Sequence, residues 1–163
     1  QKASIIVEHV TYNKLDQTFD SSIFNEKRAD YEKNKVFPSK KAIQDFVFLD
    51  GNAAQSNERS FVENLETSKE VRVFAKLPKG YYIPPPMGNY SPDWAIVYDK
   101  DNVRNIYFIA ETKGSLDSLE LRAIEKAKID CASKLFNDMP NTIVHYDKVH
   151  TYNDLLDIIS NMK

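Results

Sequence analysis

Two neighbouring apolar segments constrain the fold of this chain more than any other feature. Asp93–Tyr98 and Asn105–Lys113 carry apolar residues at both odd and even positions, and the polar run Asp99–Asn102 between them is typical of a turn. Strands with apolar residues at successive positions are buried on both faces, as in the middle of a sheet. The sequence therefore predicts a β-hairpin at the centre of a sheet.

Further helical and strand periodicities lie on both sides of this hairpin. Apolar residues recur at helical spacing after Ser56 and Asn57, which are the two candidates for the helix N-cap. The predicted elements are a helix over Ser56–Ser68, a strand over Val71–Leu77, a helix over Asp117–Phe136, a strand over Thr142–Val149 and a helix over Tyr152–Met162. This order predicts an α/β fold with a central mixed β-sheet flanked by helices.

The first 55 residues have a different character. They combine β-rich stretches with a charged insert, Asn25–Lys35. The β-rich stretches are Ser4–Thr11, Thr18–Phe24 and Ala42–Leu49. We expect residues 1–55 to form a β-rich N-terminal extension, which either joins the core or links it to a further domain, and residues 56–163 to form the core. Because the chain begins with Gln1 and not with Met, we also expect a piece of a longer polypeptide.

Composition excludes several classes of protein. With 163 residues, 42% of them hydrophobic, the chain can bury one core and is not disordered. Its apolar runs are only a few residues long, whereas a transmembrane helix needs about 20. A single cysteine excludes intrachain disulfides and multi-cysteine zinc sites, and the four glycines fit neither nucleotide-binding glycine motif. At a net charge of −2, binding to nucleic acid needs a local site or a partner.

Three charged residues lie at the ends of the two central strands. Glu111 and Lys113 share one face of their strand because side chains alternate, and they continue a row that is otherwise apolar. A hairpin register that pairs Asp93 with Glu111 is compatible with a turn inside Asp99–Asn105. The pattern thus predicts two carboxylates and a lysine at one end of the sheet.

Two carboxylates side by side at the end of buried strands repel each other unless a cation joins them. Mg²⁺ would do so with Asp93, Glu111 and the Thr112 carbonyl as ligands and water in the remaining positions. Lys113 would place a positive charge beside the ion, where it steadies a phosphorane-like charge or positions a metal-activated water. In the alternative interpretation these residues bind no metal: Asp93 has a structural role, and Glu111 and Lys113 are an exposed pair at the end of a strand. The motif Glu-x-Lys is common by chance, so it does not by itself indicate catalysis.

A third carboxylate, Glu58, lies in the first predicted helix. It precedes Phe61, Val62 and Leu65 by three, four and seven residues, which places it at the centre of the face predicted to be buried. A buried acid needs a partner or a proton, so Glu58 is a candidate for the same site. In the alternative interpretation it only favours the positive end of the helix.

The long helix has a lysine within its apolar stripe. Lys128 lies in that stripe and Glu125 at its edge, so the two predict either an i,i+3 ion pair packed on the sheet or a lysine that reaches the site. The predicted stripe consists of Leu121, Ile124, Ala127, Cys131 and Leu135. Among the weaker candidates, His9, His145 and His150 have no evident partners, Cys131 is interpreted as a core residue, and Tyr90 is a candidate for the mouth of the site.

An acid on a helix, then Asp93, then Glu111 and Lys113 on the next strand, is similar to the PD-(D/E)xK nuclease pattern. Longer motifs resemble one family within it, the C-terminal endonuclease domain of the restriction (Res) subunit of type III restriction–modification enzymes. These motifs are Ala75–Pro84, Gly88–Val97, Tyr107–Gly114 and Glu125–Ile129, and Ile5–Tyr12 and Asp20–Phe24 resemble the segment that precedes the domain. The resemblance covers nearly the whole chain.

The resemblance implies a restriction-endonuclease-like core that cuts double-stranded DNA with Mg²⁺ and leaves 5′-phosphate and 3′-hydroxyl ends. Asp93 and Glu111 would be metal ligands, Lys113 the catalytic lysine, and Glu58 the acid of the first helix. ATP would be used only by a motor domain of the same polypeptide, and a methylating modification subunit would recognise the DNA. The implied setting is the prokaryotic cytoplasm, with no membrane partner.

Two other functions are compatible with the same residues. The chain would be a non-cutting nuclease-fold module for DNA binding or docking, although an intact Asp93, Glu111 and Lys113 argues against that. Alternatively it would be a related nuclease that acts on branched or damaged DNA. Metal binding by this chain would distinguish an active nuclease from the non-cutting module. Its preference among DNA substrates would distinguish it from the related nuclease.

Overall fold

The structure is a computed structural model that describes residues 35–49, 56–78, 80–83, 86, 88–100, 103–109, 119–138, 144–147, 149 and 151–161. Within these ranges the chain forms six strands and three helices. In chain order they are β1 (Val36–Pro38), β2 (Phe46–Phe48), α1 (Asn57–Thr67), β3 (Val71–Lys76), β4 (Trp94–Lys100), β5 (Val103–Ile109), α2 (Leu119–Asn137), β6 (Val144–Asp147) and α3 (Tyr152–Asn161). The predicted order of elements from Ser56 onward is confirmed. The strands predicted over Ser4–Thr11 and Thr18–Phe24 lie outside the described residues.

The main sheet is mixed, as the sequence predicts. Its four strands lie in the order β3-β4-β5-β6, with antiparallel pairing from β3 to β5 and parallel pairing between β5 and β6. The hairpin of β4 and β5 is therefore central. In β4 the residues Trp94, Ile96 and Tyr98 are buried, and the residues between them are half-buried, which agrees with apolar side chains on both faces.

The register of the central hairpin differs by one residue from the predicted one. A register that pairs Asp93 with Glu111 would pair Trp94 with Ala110, but the structure pairs Trp94 with Ile109 and continues in step to Lys100 and Val103. Only two residues lie between Lys100 and Val103, the last pair of the hairpin. Two-residue loops are favoured in hairpins because their backbone twist matches the twist of the strands. The predicted register needs an odd number of loop residues, so it was wrong by one position.

A larger core lies between the sheet and the helices α1 and α3. Its buried side chains come from β2, α1, β3, β4 and α3 and from Leu49 and Val149, and Trp94 lies among them with no exposed surface. A smaller core joins α2 to β6 and to the segment around Ile83 and Tyr90. Ile83 and Tyr90 exchange two backbone hydrogen bonds of 2.7 and 2.9 Å, which close the proline-rich connection between β3 and β4.

Residues 36–49 pack onto the larger core. Val47 and Leu49 are buried in it, and Ala42 forms a parallel bridge with Phe74 of β3. The Glu66 carboxylate accepts hydrogen bonds from the Ser39 hydroxyl (2.5 Å) and the Lys40 amide (2.9 Å). Burial acts to raise the pKa of Glu66, but these bonds outweigh it and hold that pKa below its usual value. This part of the predicted extension thus shares a core with the helices, while the boundary at residue 55 stays a prediction.

The start of α1 is capped as the sequence predicts. The Ser56 hydroxyl accepts a hydrogen bond of 3.2 Å from the Arg59 amide. Because this satisfies one of the free amides of the first turn, Ser56→Ala is expected to lower the free energy of unfolding by about 1 kcal/mol. Urea denaturation measures the change. Ser60→Ala, an exposed change in the same helix, is the control, and an equal loss in both variants would contradict the capping role.

The stripe predicted for α2 is only partly correct. Ala127 and Cys131 are buried and Leu135 is half-buried, but Ile124 is 40% exposed. The buried surface continues instead through Ala132 and Phe136, the residues that pack against β6 in the smaller core. The contact with β6 therefore involves the C-terminal part of the helix, and Ile124 lies beyond it. Cys131 is a core residue with no exposed surface, as predicted.

None of the helices in the described ranges is both long enough and apolar enough to span a membrane.

Candidate active site

Glu58 lies at the centre of the buried face of α1, as the sequence predicts. It is 8% exposed, and Phe61, Val62 and Leu65 around it are buried. Its carboxylate forms an ion pair with Lys76, with 2.7 Å between Oε1 of Glu58 and Nζ of Lys76. The buried Glu58 carboxylate therefore has a cationic partner inside the protein. A charged group that is removed from water needs such a partner, because burial of an unpaired charge is costly.

Lys76 joins three elements at one end of the sheet. Besides Glu58 of α1, its ammonium contacts the Phe48 carbonyl of β2, to which it donates a hydrogen bond of 2.9 Å. It also lies 5.9 Å from the centre of the Trp94 ring, the distance of a cation–π contact. The Lys76 side chain is only 18% exposed. Its charge is thus held among a carboxylate, a carbonyl and an aromatic face.

Trp94 links this cluster to the larger core. Its ring centre lies 5.8 Å from that of Phe61 on α1 and 6.4 Å from that of Phe74 on β3. It is also the first residue of β4 and pairs with Lys76 on one side and with Ile109 on the other. The beginning of β4 is therefore fixed by side-chain packing and by pairing with both neighbouring strands.

Asp93 lies directly before β4 and is half-buried. Its carbonyl accepts a hydrogen bond of 2.8 Å from the Leu77 amide, which continues the pairing of β3 with β4 by one more rung. The structure thus places Asp93 at the end of the sheet, next to the pair formed by Lys76 and Trp94.

Tyr146 of β6 lies near Asp93, on the side of the smaller core. Its ring is 6.2 Å from that of Tyr90, edge to face, and stacks on Phe136 at 5.7 Å. Burial raises the pKa of the Tyr146 hydroxyl above its usual value, and the nearby Tyr90, Asp93 and Asp147 raise it further. That hydroxyl is buried, and Tyr90 is the neighbouring side chain that interacts with it. Tyr146 therefore keeps its proton at neutral pH.

Glu111, Thr112 and Lys113 lie outside the described residues. Ile109 is the last described residue of β5 and pairs with Trp94, next to Asp93. The direct contact of the two carboxylates stays a prediction.

The parallel pairing brings one further carboxylate to this end. Asp147 is the last residue of β6 and pairs with Ile109. Within the ranges that the structure describes, no three acidic, histidine or cysteine side chains are grouped closely enough to hold a metal ion. Two of the three predicted ligands, Glu111 and Thr112, lie outside those ranges.

The other candidates form local contacts. Lys128 and Glu125 form the predicted i,i+3 ion pair at 3.0 Å, and a side chain built on Gly88, at the end of the proline-rich connection, would contact Lys128. Burial lowers the pKa of His145, which is half-buried on β6. Tyr90, predicted at the mouth of the site, is buried against Tyr146. His9 and His150 lie outside the described residues.

Lys76 and Tyr146 were not among the site residues predicted from the sequence. The sequence carries no clear signal for Lys76, because by alternation it shares a strand face with Arg72 as well as with Phe74, and that row is not apolar. There was no signal for Tyr146 either, since an aromatic residue in a strand is most simply a core residue.

A mixed sheet between two helical layers, with an aspartate before one central strand and a Glu-x-Lys motif after the other, defines the restriction-endonuclease-like class of α/β domains. A family model described as "Endonuclease domain" matches residues 40–152. The chain therefore belongs to this endonuclease domain family, which confirms the resemblance seen in the sequence.

A search of curated proteins finds one relative that supports this membership. The chain is 32% identical over 118 residues to the type III restriction-modification enzyme EcoPI Res subunit of Escherichia phage P1. The alignment covers 71% of the chain and 12% of that relative, so the chain corresponds to a small part of it. No solved structure matches the chain.

Proposed function

We propose that this chain is a Mg²⁺-dependent DNA endonuclease domain of the PD-(D/E)xK type, which hydrolyses phosphodiester bonds in double-stranded DNA as part of a type III restriction enzyme. The observation that carries the proposal is the pairing of Trp94 with Ile109, because in the sequence Asp93 directly precedes Trp94 and the Glu111–Lys113 segment begins two residues after Ile109. Membership in the endonuclease domain family and the similarity to a Res subunit support the same assignment.

The proposed setting is a larger assembly. A motor domain in the same polypeptide would use ATP, and a modification subunit would recognise the DNA sequence. The net charge of −2 supports this arrangement, because a nuclease that bound DNA alone would need a basic surface. The assembly would act in the prokaryotic cytoplasm without a membrane partner.

The residues at the end of the sheet fit a hydrated divalent cation. Asp93 and Glu111 would supply carboxylate oxygens and Thr112 its carbonyl, the ligands that Mg²⁺ prefers. Mg²⁺ keeps several of its waters, which would fill the remaining positions around the ion. When bound, the ion would neutralise charge on the scissile phosphate.

Lys113 would act on the phosphate itself. Its ammonium would lie near the phosphorus and stabilise the negative charge that develops when water attacks. Water forms the new bond to phosphorus, the bond from phosphorus to the 3′ oxygen breaks, and the 3′ oxygen takes up a proton. The products are therefore a 5′-phosphate and a 3′-hydroxyl. Glu58 would contribute indirectly, through its ion pair with Lys76.

Asp93→Asn tests the proposal in the full polypeptide, assembled with its modification subunit. We expect cleavage in Mg²⁺ to fall by at least about a hundredfold, because even residues that only support metal ligands cost up to that much when they are changed. Removal of Mg²⁺ with a chelator should stop the wild-type enzyme reversibly. The ends it produces should be ligated without prior phosphorylation.

Asp99→Asn is the matched control for this test. Asp99 lies on the same strand as Trp94 but towards the opposite end, where it pairs with Arg72 at 2.5 Å. Its substitution removes the same charge and should leave cleavage unchanged. Unaltered cleavage by Asp93→Asn would contradict the proposal, and a wild-type complex that binds DNA but never cuts would favour the non-cutting module. Cleavage of branched DNA alone would favour the related nuclease.

A further inference from the structure

We propose that Lys76 is a positioning residue of this site, which fixes the backbone of Asp93 from the side of the larger core. The inference rests on the proposed function, because it concerns the same carboxylate. Lys76 makes three contacts that differ in kind, with the Glu58 carboxylate at 2.7 Å, the Phe48 carbonyl at 2.9 Å and the Trp94 ring at 5.9 Å. Together they hold one ammonium group at the end of three elements.

The position of Lys76 in the sheet connects these contacts to Asp93. Lys76 is the last residue of β3 and pairs with Trp94, and the next rung is the hydrogen bond from the Leu77 amide to the Asp93 carbonyl. Strand ends fray unless something holds them. Because Lys76 is tied to α1 and β2, the end of β3 cannot move without breaking those contacts, and Asp93 is held with it.

A simpler role must be separated from this one. Lys76 would also be required if it did no more than neutralise Glu58, since a buried carboxylate without a partner costs several kcal/mol. Both roles predict that Lys76→Met destabilises the fold. They differ once Glu58 is made apolar as well, because replacing both members of a buried ion pair by apolar groups of similar volume is often close to neutral for stability.

The experiment compares four proteins by Mn²⁺ binding and by thermal unfolding of this chain. They are the wild type, Glu58→Gln, Lys76→Met and the double variant Glu58→Met/Lys76→Met. Loss of the electron paramagnetic resonance signal of free Mn²⁺ measures how much Mn²⁺ is bound. The decrease in binding in the Asp93→Asn variant shows how much of that Mn²⁺ is bound at the proposed site. In Glu58→Gln the amide oxygen still accepts the hydrogen bond from Lys76, so positioning should persist.

We expect Glu58→Gln to bind Mn²⁺ within about twofold of the wild type. The double variant should unfold near the wild-type temperature but bind Mn²⁺ about tenfold more weakly, the lower end of the effect of residues that support metal ligands. Arg72→Met is the matched control, since it removes another cation of β3 that is ion-paired with an acid, at the opposite end of the strand. It should not change Mn²⁺ binding.

Two results would overturn the role of Lys76 while the proposed function stands. In the first, the double variant binds Mn²⁺ as well as the wild type does, which would make Lys76 a mere counter-ion. In the second, Glu58→Gln binds as weakly as the double variant, which would assign the effect to Glu58 itself. If the wild type shows no Mn²⁺ binding that depends on Asp93, the proposed function fails and the positioning role fails with it.

Discussion

Lys113→Ala is expected to abolish DNA cleavage by the assembled enzyme, with a loss of at least about a hundredfold, while the domain stays folded. In its proposed role the ammonium would stabilise charge that appears only in the transition state, and removing one such group typically costs a factor of 10²–10³. Folding should be spared if Lys113 lies in the strand predicted from the sequence, because a strand pairs through its backbone. Single-turnover cleavage at saturating Mg²⁺ measures the loss.

Lys69→Ala is the control for this prediction. Lys69 is an exposed lysine between α1 and β3, at the end of the sheet opposite Lys76, and its removal changes the net charge by the same amount. It should cleave at the wild-type rate, so that any general effect of charge on DNA binding is accounted for. If Lys113→Ala still cuts as fast as the wild type, Lys113 is not catalytic and the Glu-x-Lys motif is an ordinary surface pair.

Trp94→Ala is expected to have the largest effect on stability. The side chain has no exposed surface and lies between the rings of Phe61 and Phe74, so truncation leaves a large cavity. Such changes cost about 3–5 kcal/mol, a large share of the roughly 5–15 kcal/mol that holds a typical domain together. Because Trp94 is the single tryptophan, unfolding in urea should be followed by circular dichroism.

Two further variants provide comparisons for the loss of stability expected in Trp94→Ala. Trp94→Phe keeps an aromatic ring in the core and removes an indole N–H that is buried without a partner among the described residues, so it should cost clearly less than the alanine change. Tyr82→Ala, an aromatic residue that is 41% exposed, should change stability by no more than about 0.5 kcal/mol. A loss below 1 kcal/mol for Trp94→Ala would show that the packing around β4 is not as described.

Much of the fold could be predicted because its signals are local. The helix that begins after Ser56 shows apolar residues at helical spacing, and the same periodicity placed Glu58 on the buried face. Charged residues that continue an apolar row also predicted a site at one end of the sheet, but Glu111 and Lys113 lie outside the described residues. Ile124 was assigned wrongly because periodicity shows which face of a helix is apolar, but not how far along the helix the partner strand extends.

The sequence by itself determined the order of the elements, the central hairpin and the residue types available at its ends, because alternation and helical spacing are properties of neighbouring residues. Only the tertiary structure decided the register of that hairpin, which depends on how its two-residue loop closes. It alone paired Glu58 with Lys76. These two residues lie on different elements, and what brings them together is the packing of α1 against the sheet, which local periodicity does not specify.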